Sequence, residues 1–186
     1  PFFQADLPSA GRLSQTLCFM SAMLRAAIST DTERIAEVLL ASHAAFLSFA
    51  QSTRTDEEVR TWVRDVLLPS EAVTVAVVNG QVIGVLAVAQ HNGASWLTQL
   101  YLHPAHVAQG IGSRLLAHAI ATALPPIRLY TFQQNVGARR FYERNGFVAT
   151  EFTDGNANEE RCPDVLYELA SPVRVVAYPL HRADTP

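Results

Sequence analysis

The run Leu100-Tyr101-Leu102-His103-Pro104-Ala105-His106-Val107-Ala108-Gln109-Gly110-Ile111-Gly112-Ser113-Arg114-Leu115-Leu116 constrains the fold more than any other part of the chain. It reads as a strand entering a glycine-bearing turn and passing directly into an amphipathic helix. Leu97, Leu100, Tyr101 and Leu102 form an apolar, aromatic run of strand length closed by Pro104. Ile111, Leu115, Leu116, Ala119, Ile120 and Ala123 then recur at helical spacing and give one apolar face. Gly110 and Gly112 stand where backbone would approach a ligand, because glycine permits positive φ and leaves N–H groups uncovered. The first N–H groups of a helix lack internal partners and carry the positive end of its dipole. The two features together suit a phosphate or pyrophosphate, with a side chain at Gly112 falling where the phosphates approach. Taken alone, Gly-x-Gly fits an ordinary strand-to-helix turn better. Two other phosphate loops are excluded, since no glycine is followed by lysine and Leu115 stands where a dinucleotide fingerprint needs its third glycine.

A second run, Asn135-Val136-Gly137-Ala138-Arg139-Arg140-Phe141-Tyr142-Glu143-Arg144-Asn145-Gly146-Phe147, matches N-x-x-A-x-x-F-Y-x-x-x-G-F. The first run is similar to [QR]-x-x-G-x-[GA]. In this order and at this spacing the two resemble the GCN5-related N-acetyltransferase (GNAT) superfamily. One departure is Val107, where the family prefers Gln or Arg; Gln109 supplies an amide two residues later.

The resemblance implies acetyl-CoA (coenzyme A) as cofactor. Residues Val107, Ala108, Gln109, Gly110, Ile111, Gly112, Ser113 and Arg114 would then grip the pyrophosphate. The backbone of Leu100, Tyr101 and Leu102 would bond the pantetheine arm, one N–H polarising the thioester carbonyl. Asn135, Ala138 and Arg139 would complete the cofactor contacts, Asn135 serving as helix cap or ligand. Tyr142, two helical turns after Asn135, would act as general acid on the departing thiolate, which a phenol can protonate at short range. Many relatives carry a glutamate base on the central strand, but Ser95-Trp96-Leu97-Thr98-Gln99 has none. His91, His103, Glu151, Glu159, Glu160, Asp164 and a water relay remain as candidates, with His103 beside Pro104 read as structural. Glu159, Glu160 and Asp164 lie in an acidic loop whose carboxylates suit an ammonium group. The function expected is transfer of acetyl to a primary amine, of a small molecule or of a peptide or protein. A non-catalytic acyl-CoA sensor is the alternative of another class.

The formal net charge of −3 over 186 residues argues against a nucleic-acid binder. Cys18 and Cys162 are too few for a disulfide framework, and the six histidines have no metal spacing, so no metal is expected. No run has transmembrane length and no secretory pattern opens the chain, so a cytoplasmic protein without membrane partners is expected.

Residues 1–22 read as an N-terminal extension, an arm or a cloning remnant, and 23–170 as the acetyltransferase domain. Residues 171–186 read as a tail in which Val173 to Tyr178 offers an extra edge strand or a homodimer contact. Strands are expected at Leu24 to Ile28, Ala72 to Val78, Gln81 to Gln90 and up to Leu102, then at Ile127 to Phe132, Phe147 to Phe152 and Val165 to Leu169. Asn79-Gly80 is the strongest hairpin signal. Helices are expected after Thr30 or Asp31 (with Glu33 reaching back to the cap), after Thr55, after Gly112 and after Asn135. The second is expected to bury Val59, Trp62, Val63, Val66 and Leu67. The pattern itself supports an α/β (α+β) domain with a mixed central sheet. The GNAT-like fold it resembles has six to seven strands and about four helices.

Overall fold

The computed structural model describes residues 22–50 and 53–170. The extension before Ala22 and the tail with Val173 to Tyr178 lie outside these residues.

Asn79-Gly80 provides two consecutive left-handed residues, φ 51° and 77°, which a two-residue turn between twisted strands requires. Asn92-Gly93, at 49° and 71°, repeats the device. Strands β2 (Ala72–Val78), β3 (Gln81–His91) and β4 (Ala94–Leu102) therefore form an antiparallel meander, with β1 (Met23–Ala26) paired outside β2. Beyond β4, strand β5 (Ile127–Phe132) runs parallel to it, and β7 (Asp164–Leu169) inserts between β5 and β6 (Val148–Phe152). The result is a mixed seven-stranded sheet in the order β1-β2-β3-β4-β5-β7-β6.

Alternation along the strands sends neighbours to opposite faces, so Val75 and Ala76 belong to different cores. On one face, helix α1 (Thr32–Phe46) packs Ile35 and Val38 with Val75 and Val85. Helix α2 (Asp56–Trp62) starts with a reciprocal cap: Thr55 accepts from the Glu58 N–H, and the Glu58 carboxylate accepts from the Thr55 N–H at 2.7 Å. It continues through a π-helical turn, Val63–Leu67, and one last turn, α3 (Leu68–Ser70). On the other face, α4 (Ile111–Thr122) and α5 (Val136–Arg144) cover Leu86, Leu129 and Tyr167 with Leu115, Leu116 and Tyr142.

Two expectations are corrected. Asp31 does not cap α1 through its side chain. It accepts from the Ile28 N–H at 2.9 Å and from both terminal nitrogens of Arg25, at 2.6 and 2.9 Å, so it ties β1 to the helix start; Glu33 bonds Arg60 instead of reaching back. Val66 is exposed while Val63 and Leu67 are buried, because the wider π turn rotates the apolar stripe away from the α-helical register.

The feature that positions everything else is the junction of β4 and β5. Their ladder has two rungs, Ser95↔Ile127 and Trp96↔Arg128, after which the strands separate. Opposite β3, the register slips between Ala87 and Val88, which leaves Thr98 as an extra residue in β4. Such a bulge bends its strand. Its hydroxyl is held by the Glu71 carboxylate. The bend opens a wedge along Leu97 to Leu102, where β4 has no ladder partner on the β5 side among the described residues.

Candidate active site

The wedge ends at the turn singled out in the sequence. Gly110 caps α4 in the left-handed region, φ 78°, with no side chain bonded to the helix start. Ala108 is left-handed as well, at 60°, which costs a residue with a Cβ roughly 1–2 kcal/mol. Alternation of this kind turns successive N–H groups to one side and forms an anion-binding concavity. The Ile111, Gly112 and Ser113 N–H groups have no acceptor among the described residues, while the Arg114 N–H closes the first helical bond to the Gly110 carbonyl at 3.2 Å. A Cβ on Gly110 would meet no atom within 4 Å, so the concavity is open there. A Cβ on Gly112 would make ordinary contacts with Leu102 at 3.5 Å and Phe141 at 3.9 Å. Gly112 therefore faces the protein, and it is the conformation of Gly110 that exposes the N–H groups.

Across the wedge stands α5. Asn135 caps it, accepting from the Ala138 N–H at 3.1 Å. Two turns on, Tyr142 is buried, its ring packed against Phe141, Phe147 and Tyr167 at centroid distances of 5.3, 5.7 and 6.2 Å. Burial, aided by nearby Tyr101, pushes its phenol well above the usual tyrosine range, so the group keeps its proton at neutral pH. Burial and the charge of Glu160 likewise push Tyr101 upward.

Tyr101 also lines a cavity of about 650 Å³ between α1, the start of α2, β4 and the β6–β7 loop. Leu39, Val59 and Trp62 make its apolar wall, and Gln99 faces it from β4. Its ionisable groups are His43, Arg54, Asp56, Glu159 and Glu160. Arg54 bonds Glu159 at 2.6 Å and lies over the Trp62 ring at 5.3 Å, joining two segments 105 residues apart in sequence.

A profile described as the acetyltransferase (GNAT) family matches residues 34–147. The chain belongs to the GNAT acetyltransferase family. Among solved structures, GNAT relatives align over most of their length. The PaiA N-acetyltransferase of Thermoplasma acidophilum, in complex with coenzyme A, is 25% identical with a TM-score of 0.65, over 81% of this chain and 99% of that one. YncA of Salmonella typhimurium, with its cofactor acetyl-CoA, is 22% identical with a TM-score of 0.63, over 81% and 94%. Apo YjaB of Escherichia coli is 23% identical with a TM-score of 0.64, over 80% and 97%. A search of curated proteins finds no match.

The expected GNAT residues divide between the wedge and its surroundings. Leu100, Tyr101 and Leu102 form the wedge wall, Val107 to Arg114 the turn and first helical turn, and Asn135, Ala138 and Tyr142 the facing helix. The Gln109 amide donates to the Ala105 carbonyl at 3.2 Å, two residues from Val107. Arg139 is turned to β7, bonding the Tyr167 hydroxyl and the Gln133 carbonyl, each at 3.3 Å, and lying over Phe152. Glu159 and Glu160 line the cavity, but Asp164 does not. Its carboxylate accepts from Thr153 at 2.5 Å and Asn158 at 2.9 Å, so it braces the loop from inside. His91 lies at the other end of the β3–β4 hairpin, and His103 accepts from the Ala105 N–H at 3.3 Å, as a turn residue does. Glu151 is exposed on the edge strand β6. His43, Arg54, Trp62 and Gln99 were not read as site residues, since only the packing of α1, α2 and the loop against β4 brings them together. No group of residues with metal-holding geometry occurs among the described residues.

Proposed function

We propose that this protein transfers acetyl from acetyl-CoA to a primary amine of a small molecule. The observation that carries the reading is that the wedge and the cavity meet at Tyr101. One side offers an open strand edge and an anion-binding turn, and the other a lined volume for an acceptor. The turn fits a pyrophosphate because the unbonded N–H groups of Ile111, Gly112 and Ser113 sit beside a Gly110 whose side is open. Acetyl-CoA supplies the activated thioester when bound. The free edge of β4 between Leu100 and Leu102 presents N–H groups to the oxyanion that develops as the amine attacks. The amine would attack in its neutral form and shed one proton to solvent water as the carbon–nitrogen bond forms. Tyr142, neutral and buried, would give its own proton to the sulfur as the carbon–sulfur bond breaks and regain one from water. Two reactants held at one wall gain much of their rate from proximity.

A cavity of about 650 Å³ beside the strand edge is of a size that suits a small acceptor. No helix among the described residues is long and apolar enough to cross a membrane. The test is thiol release from acetyl-CoA against an amine panel that includes peptides, once binding is confirmed by calorimetry. Release with small amines supports the reading, release with peptides alone replaces the acceptor class, and binding without release supports a sensor. No binding removes the acetyl-CoA assignment.

A further inference from the structure

The Tyr142 hydroxyl hydrogen-bonds nothing among the described residues, so no bond of its own aims it. Its ring is held by edge and tilted contacts with Phe141, Phe147 and Tyr167. Such ring contacts set a distance but tolerate sliding and rotation. Directional bonds stand one residue further along α5. The Tyr167 hydroxyl, on β7, donates to the Glu143 carboxylate at 2.6 Å and accepts from the Arg139 Nε at 3.3 Å. Tyr167 is fully buried in a close-packed core, which makes it a firm anchor. Arg139 and Glu143 are four residues apart on one face of α5, so two successive turns close on the same oxygen. Arg139 also donates to the Gln133 carbonyl just past β5 and lies over Phe152 of β6. The helix is thereby fastened at the end of β5, on β6 and on β7.

Resting on the reading of Tyr142 as the acid, we propose that Tyr167 is a positioning residue for the reaction. Through Glu143 and Arg139 it sets the rotation of α5 about its axis, and so where the Tyr142 hydroxyl stands relative to the departing sulfur. Tyr142 precedes Glu143 by one residue, about 100° around the helix, so a turn of α5 that moves one moves the other equally. A phenol must come within roughly 3 Å of the atom it protonates, and a displacement of about 1 Å can cost up to roughly 100-fold in rate. Arg139, expected at the cofactor, contributes in this way without touching it.

The experiment follows thiol release from acetyl-CoA with the most active amine of the panel, and NMR of isotope-labelled tyrosine rings as coenzyme A is added. Tyr167→Phe keeps the ring and removes the hydroxyl. It should lower kcat about three- to tenfold, with KM and the calorimetric affinity for acetyl-CoA as in the parent. Glu143→Ala should do the same, and Glu143→Gln, whose amide oxygen still accepts from the phenol, should recover most of the rate. In a Tyr142→Phe background, Tyr167→Phe should cost nothing further, because the group it positions is gone. A parental kcat in Tyr167→Phe overturns the proposal and leaves the acid in place; so does an equal loss in both backgrounds, which marks a general structural role. Parental turnover in Tyr142→Phe overturns the acid reading, and the proposal falls with it. If no amine releases thiol, the NMR signal decides. A coenzyme A-induced shift of the Tyr142 signal that Tyr167→Phe diminishes supports the positioning role, and a shift absent from the parent or unchanged in Tyr167→Phe overturns it.

Discussion

A phenol enclosed by Phe141, Phe147 and Tyr167 loses the solvation that would stabilise its anion, so Tyr142 is a better proton holder than free tyrosine. Tyr142→Phe should therefore lower turnover by roughly 10–100-fold, with acetyl-CoA affinity nearly unchanged by calorimetry. The raised pKa also fixes a sign: the Tyr142 phenol stays protonated throughout the range below the ordinary tyrosine value of about 10, so if it serves as the proposed acid, no alkaline loss of rate below that pH belongs to it. At the turn, the two glycines should behave differently. Gly110→Ala meets no atom but must hold φ near 78°, a strain of roughly 1 kcal/mol, and should weaken coenzyme A binding several-fold as the N–H groups turn away. Gly112→Ala should bind coenzyme A like the parent, because its Cβ joins the contacts of Leu102 and Phe141. Equal affinity in both variants would remove the special role given to Gly110.

At the scale of elements, the β6–β7 loop is built to hold its carboxylates in place. Asp164 and Asn158 brace it from within, and Gly155, at φ 81°, passes so close to Cys162 that a Cβ would lie 2.3 Å from its carbonyl carbon. Gly155→Ala should displace the loop, raising KM for the acceptor while acetyl-CoA affinity holds, and should lower the melting temperature. Much of this scale was legible in the sequence. The Asn-Gly turns, the Thr55 and Asn135 caps and the strand alternation are local signals, and each falls within a residue or two of its expected place. The π turn in Val63–Leu67 and the Thr98 bulge were not legible, because both depend on how distant segments settle against each other. The cavity was half legible. Glu159 and Glu160 announced an acidic rim, but His43 and Trp62 carry helical apolar spacing that reads as ordinary core.

At the scale of the whole molecule, the Arg25–Asp31 pair ties the first strand to the first helix and couples stability to acidity. The guanidinium holds the Asp31 carboxyl below its usual range. A depressed carboxyl contributes stability that is present above its unfolded value, about 3.9, and is lost as pH falls through its lower folded value. Asp31→Asn should cost roughly 1–3 kcal/mol in urea unfolding at neutral pH, and the gap from the parent should close in strong acid. A gap that persists at low pH would assign the effect to packing instead. The two-rung ladder between β4 and β5 has a further, mechanical consequence. The meander of β1 to β4 and the antiparallel trio of β5, β7 and β6 are each well laced, but among the described residues the ladder that joins them has just the pairs Ser95↔Ile127 and Trp96↔Arg128. Such a joint lets two foldons breathe separately, with amides near the wedge exchanging hydrogen faster than those in either lobe. A ligand lying along the gap would act as a clasp, slowing that exchange on both sides at once, so occupancy can be read as a change in the molecule's stiffness before any product forms.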